Sequence, residues 1–420
     1  MKIDIFKYLQ IKKLCYLLFF LPILTVSAQE NLQKQLETAA TNNTALKADF
    51  NQYLAALEKI PQVGALPDPK LSFDYFVQPV ETRLGAQQAK FSAVQSFPWF
   101  GTLQAKEDVA AEFAKGKLEI FEQSKSKLFY AVKANYFKIY FVNKSIESTK
   151  ENISILKTLQ ELAIVKLETG LASAVDEIRV ELEINKLENQ LSDFQDQKAA
   201  LEVQFQNLLN AENPVNLEFP DTLWAADLPI QKTVLLDSIK EQNHLLKELT
   251  YKAEAWQKQT LVAKKQGMPK FSLGTSYILT GKRSNFSDAQ NGKNAFIFPK
   301  IGISLPIYKK KYKAMAREAE LKKEAINFRK QDKENQLGTS LEMVFTDFKE
   351  AKRAILLYEK QTDLAQKALN ILLESYATQG KEFEEILRLE RKLLKYSLAL
   401  SKARSQRNTA VAFIDYLLGH

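Results

Sequence analysis

The chain repeats itself once. Pro69-Lys70-Leu71-Ser72 returns as Pro269-Lys270-Phe271-Ser272, 200 positions later. Phe97-Pro98 opens one long charged segment and Leu305-Pro306 opens another, at an offset of 208. Gly170 and Gly380 interrupt those segments at an offset of 210, and Leu208-Leu209-Asn210 and Leu417-Leu418-Gly419 close them at 209. A repeat of roughly 200 residues is far longer than a solenoid period of ~20–50. The constraint is one architecture assembled from two similar halves, where 420 residues would otherwise suggest two or three domains.

Each half reads the same way. In residues 30–58, Leu32, Leu36, Ala39, Ala40, Leu46, Phe50, Leu54 and Leu57 recur at three- and four-residue spacing. That periodicity predicts a helix, ended by Pro61, Gly64, Pro67 and Pro69. Residues 231–266 are its counterpart. Strand patterns follow: Leu71, Phe73, Tyr75 and Val77 alternate with Ser72, Asp74 and Phe76, and Ala89, Phe91, Ala93 and Phe97 with Lys90, Ser92 and Ser96. In the second copy Phe271, Leu273, Tyr277 and Leu279 oppose Ser272, Gly274, Ser276 and Thr280. Ile297, Ile301, Ile303, Leu305 and Ile307 oppose Phe298, Lys300, Gly302 and Ser304. Such alternation marks strands with one apolar and one polar face.

The segments 102–168, 172–211, 312–378 and 382–418 are nearly free of Gly and Pro and rich in helix-forming residues. A helix of about 67 residues is ~100 Å long, so these helices must lie along one another as coiled coils do. The expected organisation is a first repeat over 29–211, with strands at about 70–79 and 87–97 and a helical hairpin over 102–211 turning at Gly170. A connector follows at 212–230. The second repeat covers 231–420, with strands at about 270–281 and 294–307 and a hairpin over 312–418 turning at Gly380. The fold class is mainly α with a small β part.

Two strand pairs per chain are too few for a barrel. Their apolar faces end in aromatics (Tyr75, Phe97, Trp99, Phe100, Tyr277, Phe296, Phe298, Tyr308), which suit a water–lipid boundary. Strands of about nine to eleven residues suit a tilted bilayer crossing. Lipid tolerates no unpaired strand edge, and known bacterial barrels have at least ~8 strands, so several copies must close the barrel together.

Lys2, Lys7, Lys12 and Lys13 precede an apolar run from Leu14 to Val26, and Val26-Ser27-Ala28 offers a cleavage site. This is the pattern of a secretory signal peptide, cut after Ala28. The one cysteine, Cys15, lies within it and no lipobox precedes it, so no lipid anchor is expected. The leader holds four Lys and one Asp, which leaves 55 basic against 49 acidic residues in the mature chain. That charge is scattered among acids on helical faces, which speaks against nucleic acid as a partner.

The ordered motifs resemble a known family. Gly64-Ala65-Leu66-Pro67-Asp68-Pro69-Lys70-Leu71 is similar to the start of the first strand of TolC-like outer membrane efflux proteins. Gln95-Ser96-Phe97-Pro98-Trp99-Phe100-Gly101 is similar to their strand-to-helix junction, and Ile303-Ser304-Leu305-Pro306-Ile307-Tyr308 to its second copy. Tyr376 with Gly380, and the closing Leu417-Leu418-Gly419, resemble the second tip and the C-terminal end. The set spans the mature chain and is most similar to the heavy-metal and multidrug branch. The resemblance implies a homotrimer whose twelve strands form one barrel in the outer membrane of a Gram-negative bacterium, in contact with its lipid. It implies helices that continue across the periplasm to a periplasmic adaptor (a membrane fusion protein) and an inner-membrane pump of RND type. The chain would be a passive export conduit and no enzyme. The other reading weighed is a periplasmic coiled-coil adaptor or scaffold without a barrel.

The resemblance also implies a closed periplasmic end, constricted by acidic residues and polar links. Asp176, Glu177 and Arg179 follow the first tip, and Glu384, Glu385 and Arg388 the second. The carboxylates are the expected gate, with the arginines as locking partners. Gly170, Leu171, Gly380 and Lys381 are the expected adaptor-docking tips. Pro98 and Pro306 mark strand–helix junctions, and Trp99, Phe100 and Tyr308 are membrane-boundary aromatics. No HExxH, cysteine cluster or glycine-rich phosphate loop is present, and His244 and His420 are the only histidines, so no cofactor, metal site or catalytic residue is expected.

Overall fold

A computed structural model describes residues 29–168, 173–228, 231–284, 289–379 and 383–420. Helix α1 spans 29–42 and α2 Thr44–Gly64. Strands β1 (Lys70–Thr82) and β2 (Gly85–Phe97) lead into α3 (Thr102–Glu168) and α4 (Ala174–Leu209). The second half repeats this as α5 (Lys232–Gln242), α6 (His244–Gln266), β3 (Lys270–Thr280), β4 (Ala295–Ser304), α7 (Lys309–Gln379) and α8 (Phe383–Leu418). The chain divides into two compact units. One comprises Glu122–Asn243, Glu334–His420 and the described part of Met1–Ala48; the other comprises Asp49–Phe121 and His244–Lys333.

Each helix expected from periodicity at the start of a half is two helices. The breaks fall at Asn43 and Asn243, which are themselves 200 positions apart. Asn43 accepts the Leu46 N–H on Oδ1 at 3.1 Å and donates from Nδ2 to the Leu208 carbonyl at 3.0 Å. Asn243, fully buried, donates from Nδ2 to the Leu417 carbonyl at 2.9 Å. An asparagine side chain competes with the helical backbone for its hydrogen bonds, and here it gains a partner on the helix that closes the same half. Pro61 does not end α2 either, because the helix carries it in its last turn and runs on to Gly64.

In the second unit the strands form one antiparallel sheet in the order β1-β2-β3-β4, so among the described residues β1 and β4 are both free edges. Phe91 lies opposite Phe73 on one side and Tyr277 on the other, and Tyr277 lies opposite Phe296. These residues share one apolar face and stay exposed, with Phe73 at 59 % and Tyr277 at 41 %. The other face is polar. Ser92 lies opposite Ser276 and is hydrogen-bonded to it at 2.9 Å, and Lys90 pairs with Asp74 at 3.5 Å. Ser92 and Ser276 are buried. A sheet that buries Ser92 and Ser276 and exposes Phe73, Phe91 and Phe296 is inside out for water.

One alternation fails in β4. The register slips by one residue between Gly274 and Ser276, so Ile297 lies opposite Ser276 and Ile301 opposite Leu273. Ile297 thus belongs to the polar face, and Phe296 to the apolar one, with Phe298 stacked on it at 6.4 Å. A bulge inserts one residue and reverses the parity beyond it. β4 also ends at Ser304, three residues early, since Pro306 has no N–H to give and restricts Leu305 before it.

The first unit is helical. α3 packs on α8 through Tyr130 against Phe413 (5.1 Å between ring centres) and through Ser148 and Ser397, 3.0 Å apart. The connector after α4 docks on the same helices. Tyr136 donates to the Glu218 carbonyl at 2.7 Å, and its ring lies 4.8 Å from Phe219. Arg407 and Asn408 both donate to the Trp224 carbonyl, at 3.1 and 3.2 Å. No helix among the described residues is long and apolar enough to cross a membrane.

Candidate functional site

The acidic residues expected at the gate cluster where α4 and α8 begin. α4 starts with a capping box: Ser173 accepts from the Val175 N–H, and Asp176 reaches back to the Ser173 N–H. Asp176 therefore has a local structural task. Arg179 sits one turn on. Its guanidinium lies 3.5 Å from Asp176 and 3.2 Å from Glu384, which ties the two hairpins together. Glu385 pairs with Arg388 on its own helix. Glu177 is half-buried and has no ion-pair partner among the described residues. Arg391 reaches Glu183 at 3.8 Å, a second α8–α4 link. The interhelical pair Arg179–Glu384 is exposed on both sides, so it contributes only about 0.2–1 kcal/mol and is easily exchanged for water. Gly170, Leu171, Gly380 and Lys381 lie outside the described residues.

Beneath these charges lies an apolar core. Leu156, Ala163, Val180, Leu187, Tyr376, Phe383, Ile386 and Leu387 are all buried in it. The Tyr376 ring packs 5.2 Å from Phe383, and the Lys166 ammonium lies over the ring at 4.1 Å while donating to the Tyr376 carbonyl oxygen. Burial, with the nearby Asp176 charge, pushes the Tyr376 hydroxyl pKa up.

Sequence reasoning missed Glu390. It is 4 % exposed, on the face of α8 that also carries Phe383, Ile386, Leu387 and Leu394. Its spacing from Ile386 and Leu387 was the available signal: a carboxylate on an apolar stripe. Asn152 of α3 donates to it at 3.2 Å. Burial pushes its pKa above the ordinary 4.5, and the Asn152 hydrogen bond offsets part of that rise. A carboxyl with a raised folded-state pKa holds its proton more tightly when folded. Its penalty is absent in acid and grows as pH climbs above 4.5. Glu390→Gln is therefore expected to raise the melting temperature at about pH 7.5 and to leave it unchanged at about pH 4. Thermal unfolding followed by circular dichroism at both pH values checks this, and an equal shift at both would refute it.

The junction residues belong to the second unit. Pro98 lies between the end of β2 at Phe97 and the start of α3 at Thr102, and Pro306 between Ser304 and Lys309. Neither is in a first helical turn. In the first copy a tight turn intervenes, closed by Thr102 N–H to the Trp99 carbonyl at 3.0 Å, with Gly101 at φ +70°. Trp99 stacks on Phe271 at 5.9 Å, while Phe100 and Tyr308 are exposed.

An inside-out sheet with two free edges, joined in sequence to two long helical hairpins, is the fold of the TolC-like outer membrane channels. Several solved structures carry it over nearly the whole chain. CusC, described in terms of folding and transmembrane channel formation, superposes with a TM-score of 0.77 at 16 % identity, over 92 % of this chain and 92 % of its own. The outer membrane protein VceC of Vibrio cholerae gives a TM-score of 0.72 at 16 % identity, over 94 % and 98 %. In sequence, the Toxin and drug export protein A of Aggregatibacter actinomycetemcomitans is 25 % identical over 201 residues, 47 % of this chain and 43 % of that protein. The chain thus matches less than half the length of that relative. No family model matches.

Proposed function

We propose that the chain is the outer-membrane channel of a tripartite efflux or export system. Three copies would close a twelve-stranded barrel in the outer membrane of a Gram-negative cell, after removal of a signal peptide ending at Ala28. Substrate would pass from an RND-type pump and a periplasmic adaptor through the helical part to the outside. The carrying observation is the sheet, whose apolar face is exposed while both its edges are unpaired. Lipid would cover that face, and β1 of one copy would pair with β4 of the next. A coiled-coil adaptor or scaffold has no use for such a sheet.

The helices support the same assembly. α4 leaves Val175, Ile178 and Leu182 exposed, and α7 leaves Leu357, Leu364 and Ile371 exposed at seven-residue spacing. Such rows are seams in search of a partner helix. Two repeats per chain and three chains would give six similar units around one axis, with the tips as the gate and the adaptor's docking surface.

In threefold symmetry each tip carboxylate becomes a ring that attracts cations. Neutralising two of them, Glu384→Gln with Glu385→Gln, is expected to lower cation selectivity and, by freeing Arg179, to raise open-channel conductance in planar bilayers. Unchanged conductance and selectivity would sink the gate assignment. A mature chain that stays monomeric and shows no heat-modifiable oligomer would sink the channel itself.

A further inference from the structure

The second strand–helix junction carries a charge pattern that the first one lacks. α7 begins Lys309-Lys310-Lys311-Tyr312-Lys313, with no acidic residue in its first turn. The first carboxylate along the helix is Glu318, and among the described residues the first ion pair along it is Arg317–Glu320. All four lysines are exposed. The end of α6 adds to them. Gly267 approaches so closely that a Cβ there would lie 3.1 Å from the Tyr312 side chain, which brings Lys264 and Lys265 of the last α6 turn to the same place. Lys265 in turn donates to the Phe100 carbonyl at 3.0 Å. Beside this cationic patch stand four exposed apolar side chains: Leu305 at 66 %, Ile307 at 72 %, Tyr308 at 76 % and Phe100 at 76 %.

Lysines massed next to exposed aromatic and aliphatic side chains match a lipid surface, apolar below and anionic at the headgroups. The duplication supplies an internal control. The corresponding residues of the first copy, Gly101-Thr102-Leu103-Gln104-Ala105, carry no charge at all.

We propose that Lys309, Lys310, Lys311 and Lys313, aided by Lys264, form a collar that binds the headgroups of anionic phospholipids on the periplasmic side of the barrel. The proposal rests on the channel reading. Tyr308 and Ile307 sit among the acyl chains near the surface, and the lysines hold the phosphates. Each chain carries one such collar, at its second junction only. The collar fixes the depth of the barrel in the bilayer electrostatically, so its grip weakens with salt.

The test uses the mature full-length protein in neutral detergent, titrated with short-chain phosphatidylglycerol, short-chain phosphatidylcholine and inorganic phosphate. Phosphatidylglycerol is expected to bind at least about tenfold more tightly than phosphatidylcholine, since each basic residue near an anionic surface adds measurably to binding. The fourfold variant Lys309→Gln, Lys310→Gln, Lys311→Gln, Lys313→Gln should lose that preference, and the fourfold arginine variant should keep it. The glutamine variant should still form the heat-modifiable oligomer, which separates lost lipid binding from lost folding. Equal lipid preference in wild type and glutamine variant overturns the collar. So does inorganic phosphate binding as tightly as the lipid, which would make the patch a free-anion site. A channel that inserts and conducts without any phosphatidylglycerol preference refutes only the collar; failure to insert refutes the channel reading.

Discussion

Replacing Ile386 by alanine is expected to loosen the helix tips and leave the rest of the molecule folded. Ile386 is fully buried, in the cluster that joins α3, α4, α7 and α8 beneath the acidic residues. Truncating a buried isoleucine costs about 2–5 kcal/mol, depending on how far the site can collapse. That exceeds what the exposed Arg179–Glu384 pair contributes, so apolar packing is the stronger restraint on the tips and the ion pairs trim it. Hydrogen exchange should speed up in residues 153–187 and 369–394 and change little around Tyr130 and Phe413. Bilayer conductance of Ile386→Ala should exceed that of the charge-neutralised tip variant. Ile371→Ala is the contrast: this exposed residue should leave tip exchange alone and weaken association between copies. If Ile386→Ala leaves both exchange and conductance at wild-type values, the packed core does not hold the tips.

A charge on the apolar face of the sheet should be the most damaging change to assembly. Phe91 lies in the middle of β2, exposed, with its ring 4.8 Å from Phe73. In a soluble sheet Phe91→Arg would be tolerated, because the position already faces solvent. In a lipid-facing strand an arginine costs about 2–4 kcal/mol near the midplane. The variant should therefore yield little heat-modifiable oligomer in the outer-membrane fraction. Ser72→Arg, on the polar face of the edge strand β1, should assemble normally. Reversal of the two results would mean that the sheet turns its serines to lipid and would remove the basis for the barrel.

Much of this was legible in the sequence for a physical reason. The strands alternate because one face meets something apolar, and the long helices lack Gly and Pro because nothing interrupts them. What was not legible depends on tertiary partners. Asn43 and Asn243 sit in helix-forming surroundings, and only the Leu208 and Leu417 carbonyls make a break worthwhile there. The bulge that moves Ile297 to the polar face arises from pairing with β3, which no single-strand pattern contains. At the tips the arginines were readable as partners by spacing, but that Arg179 bridges to Glu384 on the other hairpin was only a possibility among many local pairs. Glu390 was hidden by abundance: among so many carboxylates on charged helices, one buried against Asn152 looks like the rest until packing is known.

The unlike free edges of the sheet also bear on inheritance. In the proposed ring a copy would offer β1 to one neighbour and β4 to the other, so contacts of this kind would be head-to-tail and would close only as a complete ring. A chain with a ruined β1 still presents a sound β4. In the proposed trimer it would be recruited by normal copies and would leave a gap that no fourth chain fills. When normal and ruined chains are made in equal amounts, only about one three-membered ring in eight is free of damage. Lesions in an edge strand would thus act as dominant alleles, poisoning the product of an intact gene, whereas lesions that prevent export altogether would be recessive.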